Sequence, residues 1–309
     1  MFKIFLIFSL TTIFTFVFGQ KSETIYLDKT DSSKICYSII YPKNLTWKGY
    51  LILIPGFGET AEALNYQTDL AKKASNSGLL TIIPTFQDGV LSFGVDSLSQ
   101  NTLKQILNDV SSKHKVKDLK FFIGGFSIGG SAAVKYAELA YNKNYSVKPS
   151  AVFAIDPPLD FERMYHSVVR DCRLSSTTEQ NPENVYLKSR IEKEFGGTPQ
   201  KTLSNYYKIS PYSYSDTTQS AIKSIVNLPI RFYTEPDVDW WLKERQADFT
   251  NMNAVDCSAM INELVRLGNK NANLIVTHNK GFRKPTNKRH PHSWSIVDND
   301  ELINWLLKW

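Results

Sequence analysis

Five short apolar runs recur along the chain, each stopped by proline, glycine or an acid. They are Tyr50–Ile54 before Pro55-Gly56, Leu79–Ile83 before Pro84, Leu119–Ile123 before Gly124-Gly125, Ala151–Ile155 before Asp156-Pro157-Pro158, and Pro229–Thr234 before Glu235-Pro236. Runs this short, without polar alternation, suit parallel strands covered on both faces. Helical spacing fills the intervals: Thr60 to Ser77, Ser97 to His114 with Leu103, Ile106, Leu107 and Val110 on one side, and the alanine-rich Ile128 to Tyr141. Strand and helix in regular alternation imply an α/β fold, a mostly parallel, doubly wound sheet. Ligands of such sheets bind at the carboxyl ends of the strands. Two strands joined by a polar turn, Thr24–Leu27 and Ile35–Tyr41, precede this pattern; a helix Asp256–Leu267, a strand Asn273–Thr277 and a helix Asp298–Trp309 complete it.

The alternation breaks from about Leu159 to Leu228, a polar, helix-patterned span too long for a plain loop. It reads as a helical cap inserted at about 159–228 into one domain of residues 21–309. Residues 1–20 read separately. Lys3, the apolar run Ile4–Phe18 and the small Gly19 make a secretory signal peptide cut near Gly19 or Gln20, which places the mature chain in the secreted or periplasmic space. The run falls short of the ~20 apolar residues of a spanning helix, so no stable membrane insertion is expected after its removal. In that setting Cys36, Cys172 and Cys257 allow one disulfide and one spare thiol, and their spacing matches no metal site. Asn44-Leu45-Thr46 and Asn144-Tyr145-Ser146 match the glycosylation acceptor pattern. The net charge of +6 comes partly from Lys280–His290, which reads as a solvated basic loop and not as a nucleic-acid patch.

Gly125-Phe126-Ser127-Ile128-Gly129 fits G-x-S-x-G between a strand and a helix, the setting of a nucleophile elbow. The turn is tight enough to strain the serine backbone and leaves room only for glycine two positions either side. A serine hydroxyl needs a base, and the base needs an orienting acid. In this pattern the chain order is serine, acid, histidine. His292, in the loop before the last helix, is the expected base; His290 and His278 are alternatives, and His166 falls inside the inserted span. Asp237, after the strand Pro229–Thr234, is the expected acid, with Asp239, Glu235 and, from the preceding strand end, Asp156 behind it. Two N–H donors are required for a developing oxyanion. Ile128 N–H follows the nucleophile, and Phe57 N–H lies in the loop Pro55-Gly56-Phe57-Gly58.

With these residues in place the chain resembles the α/β-hydrolase superfamily over nearly all of its mature length, and within it exported bacterial esterase-like serine hydrolases. The blocks YTEPDVDWW and RHPHSWSIVD carry the closer resemblance, with Trp294 two residues after His292. It implies an acyl-enzyme on Ser127, a base at His292 and an orienting acid at Asp237, with no metal or organic cofactor. The expected partner is a small-molecule or glycan ester; Tyr165, Tyr186, Tyr206, Tyr207, Tyr212 and Tyr214 of the inserted span are placed to stack on sugar rings or to form its core. A serine peptidase on the same fold, or a silent binding protein retaining it, are the alternatives.

Overall fold

The computed structural model describes residues 21–28, 35–43, 46–174 and 182–309. The signal-peptide reading of residues 1–20 and the acceptor Asn44 lie outside the described residues. Eight strands form one sheet: β1 (Ser22–Tyr26), β2 (Cys36–Ile40), β3 (Gly49–Ile54), β4 (Leu79–Thr85), β5 (Lys120–Phe126), β6 (Ala151–Ile155), β7 (Ile230–Thr234) and β8 (Ala272–Val276), in the order β1-β2-β4-β3-β5-β6-β7-β8. β1 and β2 pair antiparallel with each other, and β2 pairs antiparallel with β4. Every pairing from β4 to β8 is parallel.

Helices cover both faces. One face buries Leu103, Ile106 and Val110 of α3 (Ser97–Lys113), the alanines of α4 (Ile128–Asn142), and Cys257, Met260 and Leu264 of α9 (Ala254–Arg266). The other takes Leu64 of α1 (Ala61–Gln67), Leu70 and Ala71 of α2 (Leu70–Asn76), and Leu302, Trp305 and Leu306 of α10 (Asn299–Leu306). Central strands with no exposed face explain the unbroken apolar runs.

Three differences from the sequence reading have local causes. The helix expected over Thr60–Ser77 is two, because Thr68 turns extended and its hydroxyl accepts from Leu70 N at 3.2 Å, starting a second helix. β5 runs on through Gly124, Gly125 and Phe126, which stay paired to β3 and β6. A Cβ at Gly124 would stand 2.4 Å from the Phe153 ring, so glycine here admits a neighbour's side chain and does not end the strand. All three cysteines are free, contrary to the expected disulfide: Cys257 is buried in α9 with its Sγ 3.6 Å from Pro157 O, while Cys36 starts β2 and Cys172 lies in α5 (Phe161–Leu174).

Between β6 and β7 run α5, α6 (Pro182–Phe195) and α7 (Pro199–Ile209). They carry an aromatic cluster of their own, Phe161, Tyr165, Phe195 and Tyr206, joined to Phe93 and to Ile128 at the start of α4. Phe195 stacks on Tyr206 at 4.5 Å and Phe161 at 5.1 Å. Four of the aromatic side chains of this span are therefore core of its own, Tyr212 packs into the main sheet core, and Tyr214 is 75% exposed.

Candidate active site

The β5–α4 junction forms where a strand must reverse into a helix with no spare residue. Ser127 takes φ 53°, ψ −126°, a conformation costing a non-glycine residue roughly 1–3 kcal/mol. Flanking contacts hold it there. Ser127 N donates to Ile155 O at 2.8 Å, and its carbonyl accepts from Gly130 N at 2.9 Å. A Cβ at Gly125 would lie 2.5 Å from Ile54 O, and one at Gly129 2.3 Å from Pro55 O, so any larger residue at either position would push β3 away. Ser127 caps α4 with backbone alone; its half-buried side chain makes no capping bond and lines a cleft of about 310 Å³.

His292 lines the same cleft. Its ring packs on Phe126 at 4.5 Å, and Phe126 also meets Trp294 at 5.2 Å. His292 Nδ1 donates to Asp156 Oδ2 at 2.6 Å. A carboxylate only accepts, so Nδ1 carries the proton, and in the neutral ring Nε2 has a lone pair. Asp156 sits at the end of β6 with φ 47°, buried to 7% exposure. Its second oxygen accepts from Thr234 Oγ1 at 2.7 Å, and Asn253 Nδ2 donates to its carbonyl at 2.9 Å. Two strand ends and one helix start thus fix this carboxylate.

Asp237, the expected acid, is elsewhere. Its Oδ1 accepts from Trp240 N at 3.1 Å, capping α8 (Val238–Arg245), and its Oδ2 pairs with Arg289 at 2.7 Å. The block read as a catalytic loop is a helix start, and aspartate is there as an N-cap. Glu235 is buried and fully used: it pairs with Arg289 at 2.5 Å and accepts from Thr277 Oγ1, Lys280 N and Gly281 N. Asp239 is exposed. His278 is exposed beside Asp237, and His166 is exposed on α5. His290 is buried between Trp240 and Trp241, with ring centroids at 4.7 and 5.9 Å. Burial first, then the charges of Arg283, His292 and Arg245, push its pKa down to about 3, so it stays neutral.

Phe57 and Ile128 occupy two neighbouring turns. Gly56 N donates to Glu59 Oε2 at 2.8 Å and Gly58 N to Val90 O at 2.8 Å, which fixes the peptide between them. Trp294 Nε1 donates to the same Glu59 oxygen at 3.0 Å. Through Glu59, the histidine loop and the Phe57 loop are held in one register. Phe57 packs its ring on Phe93 at 5.9 Å and on Tyr186 of α6 at 6.1 Å.

Sequence reasoning missed Thr234, Glu59 and Arg283. Arg283 lies in the basic span, on β9 (Phe282–Arg283), which pairs with β10 (Lys288–Arg289). Its Nε and Nη2 both donate to His292 O, at 3.1 and 2.8 Å. That span is therefore not simply solvated: Arg283 braces the histidine and Arg289 neutralises Glu235 and Asp237. Among the described residues no helix is long and apolar enough to cross a membrane, and no cluster of ligating side chains fits a metal ion.

No family model and no curated protein matches the chain. Solved structures do. An S-formylglutathione hydrolase from Agrobacterium tumefaciens superposes with TM-score 0.56 at 12% identity, over 94% of this chain and 96% of the other. The Francisella virulence factor BioJ gives 0.57 at 15%, over 94% and 85%. Carboxyl esterase 2 of the fungus Tuber melanosporum gives 0.57 at 14%, again over 94% and 85%. At such identities the likeness is one of fold, and the fold is that of the α/β hydrolases.

Proposed function

We propose that this chain, built on the α/β-hydrolase fold, is a serine hydrolase of carboxylic esters with Ser127 as nucleophile, His292 as base and Asp156 as orienting acid. The observation that carries the reading is the 2.6 Å bond from His292 Nδ1 to Asp156, made in the cleft that the strained Ser127 also lines. Ser127 Oγ attacks the ester carbonyl carbon and passes its proton to His292 Nε2. Asp156 steadies the imidazolium that results. The carbonyl oxygen becomes an oxyanion held by the N–H groups of Ile128 and Phe57. The alcohol leaves with the proton from His292, and the acyl group stays on Ser127. Water then attacks the acyl carbon and gives its proton to His292. The acid departs as that proton returns to Ser127.

In the same proposal the helices α5–α7 act as a cap over the strand ends, tied to the catalytic turns by the contact of Phe57 with Tyr186 and the cluster around Ile128. Export belongs to the proposal as well and rests on the N-terminal sequence. Small aryl esters such as p-nitrophenyl acetate should turn over faster than the matching amino-acid anilides. Ser127→Ala should remove ester turnover while the thermal midpoint changes by no more than a few degrees. Full turnover by that variant, or preference for the anilides, would defeat the ester-hydrolase assignment.

A further inference from the structure

Three arginines line the cleft that holds Ser127 and His292. Arg163 is spoken for: its guanidinium lies 2.6 Å from both oxygens of the buried Asp256. The other two have no carboxylate partner among the described residues. Arg283 spends two N–H groups on the His292 carbonyl, which carries no net charge to offset it. Arg245, exposed in the last turn of α8, reaches His290 alone among the described residues, with Nη2 3.5 Å from Nε2. Of the acids that share the wall, Asp156 is committed to His292, Glu235 to Arg289 and Asp171 to Asn251 at 2.7 Å, while Glu183 lines it as well and acts on Arg283 only at longer range.

The two guanidiniums sense each other. Burial, chiefly, pulls the pKa of Arg283 below its usual range; Glu59 opposes this, the like charge of Arg245 adds to it, and Glu183 opposes it again. Like charges held near each other are relieved when a ligand brings further opposite charge. A second observation stands beside this one. His290 lines the cleft at 9% exposure, and its Nδ1 is buried with no hydrogen-bond partner. A guanidinium only donates, so Nε2 facing Arg245 is the acceptor and Nδ1 carries the hydrogen. The His290 ring, which also meets the His292 backbone, therefore accompanies two arginines that make no close ion pair among the described residues, in one wall of the cleft.

We propose that Arg245 and Arg283, with His290 placing Arg245, form an anion-binding subsite of the Ser127 cleft, so that the preferred substrate is an ester carrying an oxyanionic group, carboxylate or phosphate, besides the scissile bond. This rests on the hydrolase reading for its chemistry, but the subsite is defined by its own groups. Guanidinium forks match both oxyanions, and the net charge of +6 favours their approach.

The test compares p-nitrophenyl hydrogen glutarate with p-nitrophenyl pentanoate, which match in chain length and differ in charge. The kcat/KM ratio should favour the glutarate ester by about 10- to 100-fold, the worth of a charge-assisted hydrogen bond. Arg245→Gln should bring the ratio toward one, and Arg245→Glu should invert it. Ser127→Ala, which needs no turnover, should bind glutarate or inorganic phosphate with a salt-dependent affinity in calorimetry; whichever binds tighter identifies the oxyanion. Equal turnover of the two esters, together with no saturable binding of either anion, would overturn the subsite and leave the hydrolase standing. Anion binding that Arg245→Glu abolishes, in a chain that cleaves no ester, would uphold the subsite and overturn the hydrolase.

Discussion

β6 and β7 lie side by side and each ends in an acid, yet the two ends are built differently. At the end of β6, Asp156 meets no lysine or arginine among the described residues: its oxygens take Thr234 Oγ1 and His292 Nδ1. At the end of β7, Glu235 and Asp237 share Arg289, at 2.5 and 2.7 Å, and their remaining capacity goes to backbone N–H groups and the Thr277 hydroxyl. A carboxylate already paired with a guanidinium has little left to offer an imidazole, since the cation has drawn off its charge. The β7 end is scaffolding that anchors the loop carrying His292; the β6 end is the group that touches it. What separates them is a cation contributed 52 residues downstream of Asp237.

The largest effect should come from the β6 end. Asp156→Asn should lower kcat by roughly 10³- to 10⁴-fold, because an amide in place of the carboxylate misorients the imidazole tautomer. Asp237→Asn should leave kcat within about threefold and instead lower the thermal midpoint by about 2–4 °C, as a helix cap and an ion pair weaken. Steady-state kinetics beside calorimetric melting of both variants checks the pair, and the reverse ranking would exchange the roles of the two strand ends.

A smaller effect should follow from loosening the link between the loops. Glu59→Ala frees Gly56 N and Trp294 Nε1 together. It should reduce kcat about tenfold with KM little changed, less than the 10²–10³ of losing an oxyanion donor outright. A change confined to KM would show that Glu59 shapes binding instead.

The smallest effect concerns pH and stability. His290 is neutral in the fold, with a pKa near 3, whereas in the unfolded chain it titrates near the usual histidine value. Below that value the unfolded state binds more protons, so stability falls as pH drops from about 6.5 toward 3. His290→Gln should therefore melt with a shallower pH dependence than the parent across that window. Parallel curves would mean that the ring takes up its proton as readily in the fold as in the unfolded chain.

Much of this was legible from the chain. Apolar runs gave away the strands because both faces of the sheet are covered, and Gly125 and Gly129 marked the elbow because the β3 backbone passes within 2.5 Å of any Cβ there. The imidazole of the proposed triad was legible too, since Ser293-Trp294 follows His292 in a loop before the last helix. Choosing the acid was not. Asp156 and Asp237 both follow strands and both precede turns, and only the fold reveals that Arg289 reaches one of them. The helix α8 escaped for a related reason: Val238–Arg245 buries no residue, so it has no apolar stripe to read. The arginines of the 280–290 span looked like solvent-facing charge because their contacts, with the His292 carbonyl and with the β7 acids, are tertiary.

The most direct measurement is intact-mass and peptide mapping after treatment with a fluorophosphonate, which reports whether one hydroxyl is activated by one imidazole. A single adduct on the peptide containing Ser127 is expected, formed slowly or not at all in His292→Asn and Asp156→Asn and at the parental rate in Asp237→Asn. An unlabelled parent chain, an adduct on another residue, or labelling that depends on Asp237 and not on Asp156 would contradict the account.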